Sequence, residues 1–206
     1  MNRIVVAPMG QYSAIGGSAT DWHLMHLGQF AVNGAGMLIT EATAVSPEGR
    51  ITPDCLGLYS DANEAALERV VRFCKTHSPT AVGIQLSHSG RKGSTYPPAR
   101  GRNAPLSEAD GAWKTLSSAA QPRANGWPTP RAADAQDIAK VVQDHIAAAE
   151  RANRIGFKIS RDIWSRASAL ADVLLVIAVT LRVICLLNQA GTIDLTVDTA
   201  ETLLDA

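Results

Sequence analysis

Three short apolar segments alternate with helical segments near the start of the chain, and this order restricts the fold more than any other feature. The apolar segments are 4–7, 37–42 and 81–86, and each is a mainly apolar run rather than an alternation of apolar and polar residues. Such runs are typical of strands that are buried on both faces of a parallel sheet. Because parallel strands need crossover connections, we expect an α/β fold in which helices join neighbouring strands.

Helical patterns occupy the connections between these strands. The first helix is expected from Asp21 to about Val32, with Thr20 or Ser18 as its cap and glycines at its end. The second is expected to follow a cap at Asp61. Its apolar stripe has the three- and four-residue spacing of a helix face and consists of Leu67, Val70, Val71 and Cys74.

A third amphipathic helix is expected after Asp134, and a fourth strand is expected to open at Phe157-Lys158. His145 lies on the apolar stripe of this helix, where a histidine at the edge of the core is the expected role. The preceding segment, 93–133, is rich in proline, glycine, serine and arginine and has no sustained period. It is therefore predicted to be a long loop of the functional or mobile kind.

A cluster of polar residues ends the third apolar segment. Gln85 interrupts the apolar run, and a histidine, two serines, a glycine, an arginine and a lysine follow in 87–92. Ligand sites of α/β proteins lie at the carboxyl ends of parallel strands, so this segment predicts a binding site there. The alternative is a core strand that leads into a solvated basic loop.

Charge and cysteine usage exclude several classes of function. The chain has 19 basic and 19 acidic residues, which gives no support for binding nucleic acid or an anionic membrane. Cys55, Cys74 and Cys185 lack the spacing of a metal site or a disulfide framework and are interpreted as free thiols in a reducing compartment. The first apolar run is too short for a signal peptide, so a cytoplasmic location is expected.

Two histidines show the nearest approach to a metal-binding pattern. His23 and His26 are three residues apart on the first expected helix, but no third ligand lies nearby in the sequence. We therefore predict no metal site and interpret both as surface or packing residues.

Three motifs resemble the Old Yellow Enzyme family, and in particular its bacterial NADH:flavin oxidoreductases, or ene-reductases. The motifs are NRIVVAPMGQYSA at 2–14, ITEATAV at 39–45 with PEGR at 47–50, and GIQLSHSGRK at 83–92. The resemblance implies a (β/α)8 TIM barrel that binds FMN at the carboxyl ends of its strands. It also implies hydride transfer from NADH or NADPH and reduction of activated C=C bonds in small molecules of the α,β-unsaturated carbonyl class.

The same resemblance implies a role for individual residues. Gln85 would hydrogen-bond the pyrimidine side of the flavin, and Tyr12 would lie over the substrate side as the catalytic candidate. The remaining contacts to the flavin, made largely through backbone groups of the first-strand loop and at the flavin edge, would come from Ala7, Pro8, Met9, Gly10 and Ala42.

Departures from the family pattern are expected to matter. Gly10 stands where the family usually has cysteine or threonine, and Ala7 where serine is common. The histidine pair of the family's fourth strand, and strands five to eight, have no counterpart in the sequence after Lys158.

We therefore expect residues 1–158 to form the first three to four βα units of an FMN-binding barrel, and 159–206 to be a divergent apolar tail of unknown fold. A truncated or frame-shifted gene would explain this arrangement. The apolar run 173–187 is short for a membrane span and contains Arg182, so no membrane segment is predicted. The alternative hypothesis is a non-catalytic barrel remnant that acts by associating with another chain, or with its own copies, through its open edge and the apolar block 173–187.

Overall fold

The computed structural model describes residues 2–101 and 104–159, and their side chains as far as Phe157. The expected tail, 159–206, lies outside these residues except for Ile159. In chain order the regular elements are β1 (Val5–Val6), α1 (Asp21–Val32), β2 (Met37–Ala44), α2 (Asp61–His77), β3 (Ala81–Ser87), β4 (Leu116–Ser117), β5 (Arg131–Ala132), α3 (Ala135–Arg154) and β6 (Lys158–Ile159). Two single 3₁₀ turns, Gly90–Lys92 and Glu108–Asp110, lie in the long segment between β3 and α3.

Four parallel strands form the main sheet in the order β1-β2-β3-β6. Val6 pairs with Leu38, Leu38 pairs with Val82, and Gly83 pairs with Lys158. Each strand of this sheet therefore lies beside the one that precedes it, with helices in the crossovers, as the continuous apolar runs predict. A bulge between Ile39 and Ala42 shifts the register of β2 against β3 near the carboxyl end of the strand.

The main core lies between the sheet and the helices that cover it. Leu38, Val82 and Ile84 contribute from the strands, and Leu27 and Leu67 contribute from α1 and α2. Full burial of each aliphatic side chain contributes about 1.5–3 kcal/mol relative to leaving it in water. The helices α1 and α2 are thus held by their apolar stripes rather than by intrinsic helix propensity.

The helix starts agree with the sequence in two of three cases. Asp134 caps α3, since its Oδ1 accepts the backbone N–H groups of Gln136 at 2.8 Å and Asp137 at 2.9 Å. Thr20, one of the two expected candidates, is the N-cap of α1. The expected cap of α2 at Asp61 is wrong, because Ser60 takes that position and its Oγ accepts the N–H of Asn63 at 3.2 Å.

Ion pairs join α2 to α3 at the surface of the core. Glu64 accepts from Arg151 at 2.6 Å and from Arg154 at 2.9 Å, and Arg151 also donates to Asp61 at 2.7 Å. Hydrogen bonds from Arg154 and then Arg151 hold the pKa of Glu64 below its usual value despite its partial burial. The pairs align the two helices along 61–64 and 151–154.

The long segment between β3 and α3 is more ordered than a plain loop. Its strands β4 and β5 pair in parallel, with Leu116 opposite Arg131, so the prediction of one unstructured loop is wrong at these positions. Trp113 fixes the segment to the β2–α2 connection: its Nε1 donates to the carbonyl of Glu48 at 3.0 Å, and the Arg50 guanidinium lies 5.5 Å from its ring centre. Within the ranges given above, no helix has the length and apolar character needed to cross a membrane.

Candidate functional site

Three neighbouring strands end at the same edge of the sheet, and the candidate residues lie there. Ala42 in β2 pairs in register with Gln85 in β3, and both residues are half-buried. Neighbouring residues of paired parallel strands point to the same face. Since Ile84 belongs to the core beneath the helices, Gln85 points to the opposite face of the sheet, together with the small side chain of Ala42.

The loop after β1 lies beside this pair. Val6 pairs with Leu38 of β2, so Ala7 and the residues that follow leave the sheet at its carboxyl edge. Ala7, Met9 and Gly10 are exposed, and Pro8 is half-buried. The structure thus places all the residues for which the sequence implied flavin contact on three consecutive strand ends.

Tyr12 covers Gly10 and has unusual backbone geometry. Its φ of +50° lies in the left-handed region, which residues other than glycine rarely adopt. A Cβ built on Gly10 would lie 3.2 Å from Cζ of the Tyr12 ring. A side chain at position 10 would therefore require the Tyr12 ring to move by a few tenths of an ångström.

The hydroxyl group of Tyr12 stays protonated at neutral pH. Partial burial raises the pKa of Tyr12, and negative charge on Cys55 and Glu41 would raise it further. About a third of the residue remains exposed, at 36%. Tyr12 can therefore present a neutral O–H donor to a small molecule at the strand ends.

Hydrogen bonds through Gln11 and Glu41 hold the loop after β1 in place. The Gln11 backbone N–H donates to Glu41 Oε2 at 3.1 Å, and the other carboxylate oxygen lies 3.2 Å from His23 Nε2. Sequence reasoning left Glu41 without a role, although a glutamate inside an apolar strand is a signal that a buried partner is needed. His23, interpreted from the sequence as a surface or packing residue, is buried and paired with Glu41.

The histidine at the end of β3 has a different environment. Gly90 donates its backbone N–H to His88 Nδ1 at 3.2 Å, and Nε2 is buried with no hydrogen-bond partner in the part of the chain that the structure describes. Burial lowers the pKa of His88 to about 4, helped by nearby His145. His88 is therefore neutral at pH 7.

His145 itself is buried, and its Nδ1 donates to the Val141 carbonyl at 2.8 Å, which agrees with its expected place at the core edge.

Metal-binding clusters are not found in the described ranges 2–101 and 104–159: no three histidine, cysteine, aspartate or glutamate side chains converge there. Cys55 and Cys74 are buried free thiols, and burial raises the pKa of both. Both thiols therefore stay protonated at neutral pH.

Comparison with known proteins identifies relatives of this chain. Residues 1–161 match the family model described as the NADH:flavin oxidoreductase / NADH oxidase family. An NADH:flavin oxidoreductase of Gibberella zeae is 43% identical over 161 residues, which is 77% of this chain and 39% of that protein. An NADPH dehydrogenase of Geobacillus thermodenitrificans is 36% identical over 160 residues, or 77% of this chain and 42% of that protein.

The fold matches that of a solved structure of morphinone reductase. The TM-score is 0.65 at 22% sequence identity, and the match covers 88% of this chain and 55% of that one. The expectation of an α/β fold that forms part of a TIM barrel is thereby confirmed. The chain spans about two fifths of the length of the curated relatives.

Proposed function

The chain belongs to the NADH:flavin oxidoreductase / NADH oxidase family, and from this premise we propose that its strand ends bind FMN for NAD(P)H-dependent reduction of activated C=C bonds. The observation that carries the proposal is the register of Ala42 beside Gln85, with the loop 7–10 at the same edge of the sheet. Residues 1–158 would form the flavin-binding part.

The residues at these strand ends suit one side of a planar flavin. The Gln85 amide has both a donor and an acceptor, as the pyrimidine side of an isoalloxazine requires. Ala42 is small enough to let a ring approach the sheet, and the exposed residues Ala7, Met9 and Gly10 of the loop offer backbone groups. When bound, FMN would supply the hydride transfer from NADH or NADPH to substrate, while the protein would supply orientation and electrostatics.

Tyr12 is the proposed catalytic residue on the substrate side. Its protonated hydroxyl could hydrogen-bond the electron-withdrawing oxygen of an α,β-unsaturated carbonyl compound or hold a proton near the carbon that is not attacked by hydride. Its ring, which lies over Gly10, would then face the same side of the flavin as that loop.

The buried free thiols of Cys55 and Cys74 support a cytoplasmic location.

Titration of the full chain with FMN tests the proposal, and Gln85→Leu tests the assignment of the amide. Because a hydrogen bond to a buried polar group contributes about 1–2 kcal/mol, the variant should bind FMN about tenfold more weakly. Flavin fluorescence measures the Kd. Bleaching of the flavin absorbance by NADH or NADPH then measures reduction and distinguishes the two donors.

Gln143→Leu is the matched control, since Gln143 lies exposed on α3 far along the chain from the strand ends. It should leave the Kd unchanged. Failure of the unmodified chain to bind FMN would contradict the proposed function. Equal Kd values for Gln85→Leu and the unmodified chain would contradict the role of Gln85 alone.

A second candidate function rests on the exposed edge of the sheet. Val5 of β1 is 54% exposed, and Ile4, directly before the strand, is 65% exposed. In the described residues β1 lies at one end of the four-stranded sheet. Exposed strand edges are templates for pairing with another strand. Light scattering of the flavin-free chain distinguishes the candidates: a stable dimer or larger species without FMN binding favours an associating, non-catalytic chain.

A further inference from the structure

Glu41 places a carboxylate inside the protein, and such a group needs strong donors. The residue is 4% exposed and lies in β2 between Thr40 and Ala42, the residue that faces the proposed flavin site. A buried charge is tolerated only where hydrogen bonds replace its hydration. Glu41 accepts hydrogen bonds from two donors, which lie in different parts of the chain.

The first donor is His23 of α1, whose tautomer is fixed by the backbone. The N–H of Thr20 donates to His23 Nδ1 at 3.0 Å, so this nitrogen is an acceptor. The proton of the neutral ring therefore lies on Nε2, which faces Glu41 Oε1 at 3.2 Å. Helix α1 thus orients the carboxylate from one side.

The second donor is the backbone N–H of Gln11, 3.1 Å from Glu41 Oε2. The other polar groups of Gln11 also form hydrogen bonds. Its side-chain Nε2 donates to the Met9 carbonyl at 2.8 Å, its Oε1 accepts from Trp22 Nε1 at 2.9 Å, and its carbonyl accepts from Ser13 Oγ at 2.9 Å. Fixing Gln11 therefore fixes the residues on both sides of it.

The loop needs such support because of its own geometry. Tyr12, directly after Gln11, has a φ of +50°, and an L-residue other than glycine in this region persists only where its surroundings impose it. Met9, two residues before Gln11, is 44% exposed and cannot anchor the loop by burial. The hydrogen bonds of Gln11 are thus direct attachments that hold the segment 9–12.

We propose that Glu41 is a positioning residue, which transmits the orientation set by His23 to the loop that carries Met9, Gly10 and Tyr12. The effect of Glu41 on flavin binding rests on the proposed function, whereas its effect on the loop does not. The carboxylate is suited to this role because it can accept from both donors at once. An amide of the same shape offers a single acceptor oxygen to the two N–H groups.

Glu41→Gln therefore tests the inference with little change in volume. One of the donors, Gln11 N–H or His23 Nε2–H, must then face the new NH₂ group, and the His23 tautomer cannot change without opposing the Thr20 N–H. Hydrogen–deuterium exchange of the flavin-free full chain should show the Gln11 amide exchanging about tenfold faster or more. Amides of α2 and β3 should keep their protection.

Glu64→Gln is the matched control, because Glu64 is a partly buried carboxylate that also has two donors, Arg151 and Arg154, but lies between α2 and α3. It should leave exchange at Gln11 unchanged. Unchanged exchange at Gln11 in Glu41→Gln would overturn the inference. So would an equal acceleration at all amides, since this would mean general destabilisation rather than positioning.

A second measurement connects the loop to the flavin. If Glu41 positions the loop, Glu41→Gln should raise the Kd for FMN about fivefold or more, while Glu64→Gln should not change it. An unmodified chain that binds no FMN would contradict the proposed function, and the exchange result would still decide the role of Glu41 in the loop. Accelerated exchange at Gln11 with an unchanged Kd would overturn the flavin part of the inference.

Discussion

Replacing Leu67 with alanine is expected to lower the free energy of unfolding by about 2–5 kcal/mol. Leu67 is completely buried in α2 and belongs to the core that includes Leu38 and Val82 of the sheet. The substitution removes three carbon atoms and leaves a cavity that rigid neighbours on the strands cannot fill completely. Urea unfolding of the full chain, followed by circular dichroism, measures the difference.

Val32→Ala is the control for this prediction. Val32 ends α1 and is 53% exposed, so its truncation should change the free energy of unfolding by no more than about 0.5 kcal/mol. Equal losses for the two variants would contradict the packing of α2 on the sheet. A variant at position 67 too unstable to purify would be replaced by Leu67→Val, which leaves a smaller cavity and should give an intermediate loss.

Acidification from about pH 7 to about pH 5 is expected to remove about 2 kcal/mol of stability through His88 alone. Burial lowers its pKa from 6.5 to about 4 in the folded protein. Below about pH 6.5 the unfolded chain binds a proton at this histidine, whereas the folded chain does so only near pH 4. Stability is therefore full above pH 6.5 and is lost as the pH falls between these two values.

The charged groups near His88 do not reverse this direction. Glu48 and Asp144 raise its pKa, but burial, His145 and Lys140 lower it by more. His145 adds to the same dependence, since burial also lowers its pKa. Carboxylates such as Glu64, whose pKa is lowered in the folded protein, stop contributing to the free energy of unfolding only at more acidic pH. Measurements above pH 5 therefore report mainly on His88 and His145.

Asparagine at position 88 isolates the contribution of the ring. In His88→Asn the side-chain oxygen can accept the Gly90 N–H as Nδ1 does, but the group no longer titrates. The loss of stability between about pH 7 and about pH 5 should be smaller by about 2 kcal/mol than in the unmodified chain. His77→Asn, at an exposed histidine, should retain the full loss. Identical pH profiles for His88→Asn and the unmodified chain would show that His88 is not buried as the structure describes.

The elements of the fold were predictable where local pattern and tertiary burial coincide. The stripe from Leu67 to Cys74 predicted α2, and the continuous run around Ile84 predicted a strand buried within the sheet. The short strands β4 and β5 were not predictable, since Leu116 becomes a strand residue only through its pairing with Arg131, fifteen positions along the chain. The α2 cap was misassigned because Ser60 and Asp61 are both good caps, and only the backbone geometry distinguishes them.

The candidate site shows a similar limit. The resemblance of the motifs indicated Gln85, Ala42 and the first-strand loop, and the structure places these residues at one sheet edge. Their roles toward a flavin remain proposals. The pairing of His23 with Glu41 could not be derived from the sequence, because the two residues are eighteen positions apart and each has an ordinary explanation by itself. The signal in the sequence was Glu41, a charged residue in an otherwise apolar strand, which needs a buried partner.

The strand order has a consequence for how the chain acquires its structure during synthesis. Each strand of the main sheet pairs with the one made before it, so β1, β2 and β3 can assemble with α1 and α2 as soon as Ser87 has left the ribosome. The next partner, β6, is translated only after another seventy residues. Until then the free side of β3 is open to solvent and to other nascent chains, and this interval is when chaperones would have most effect on the yield of folded protein.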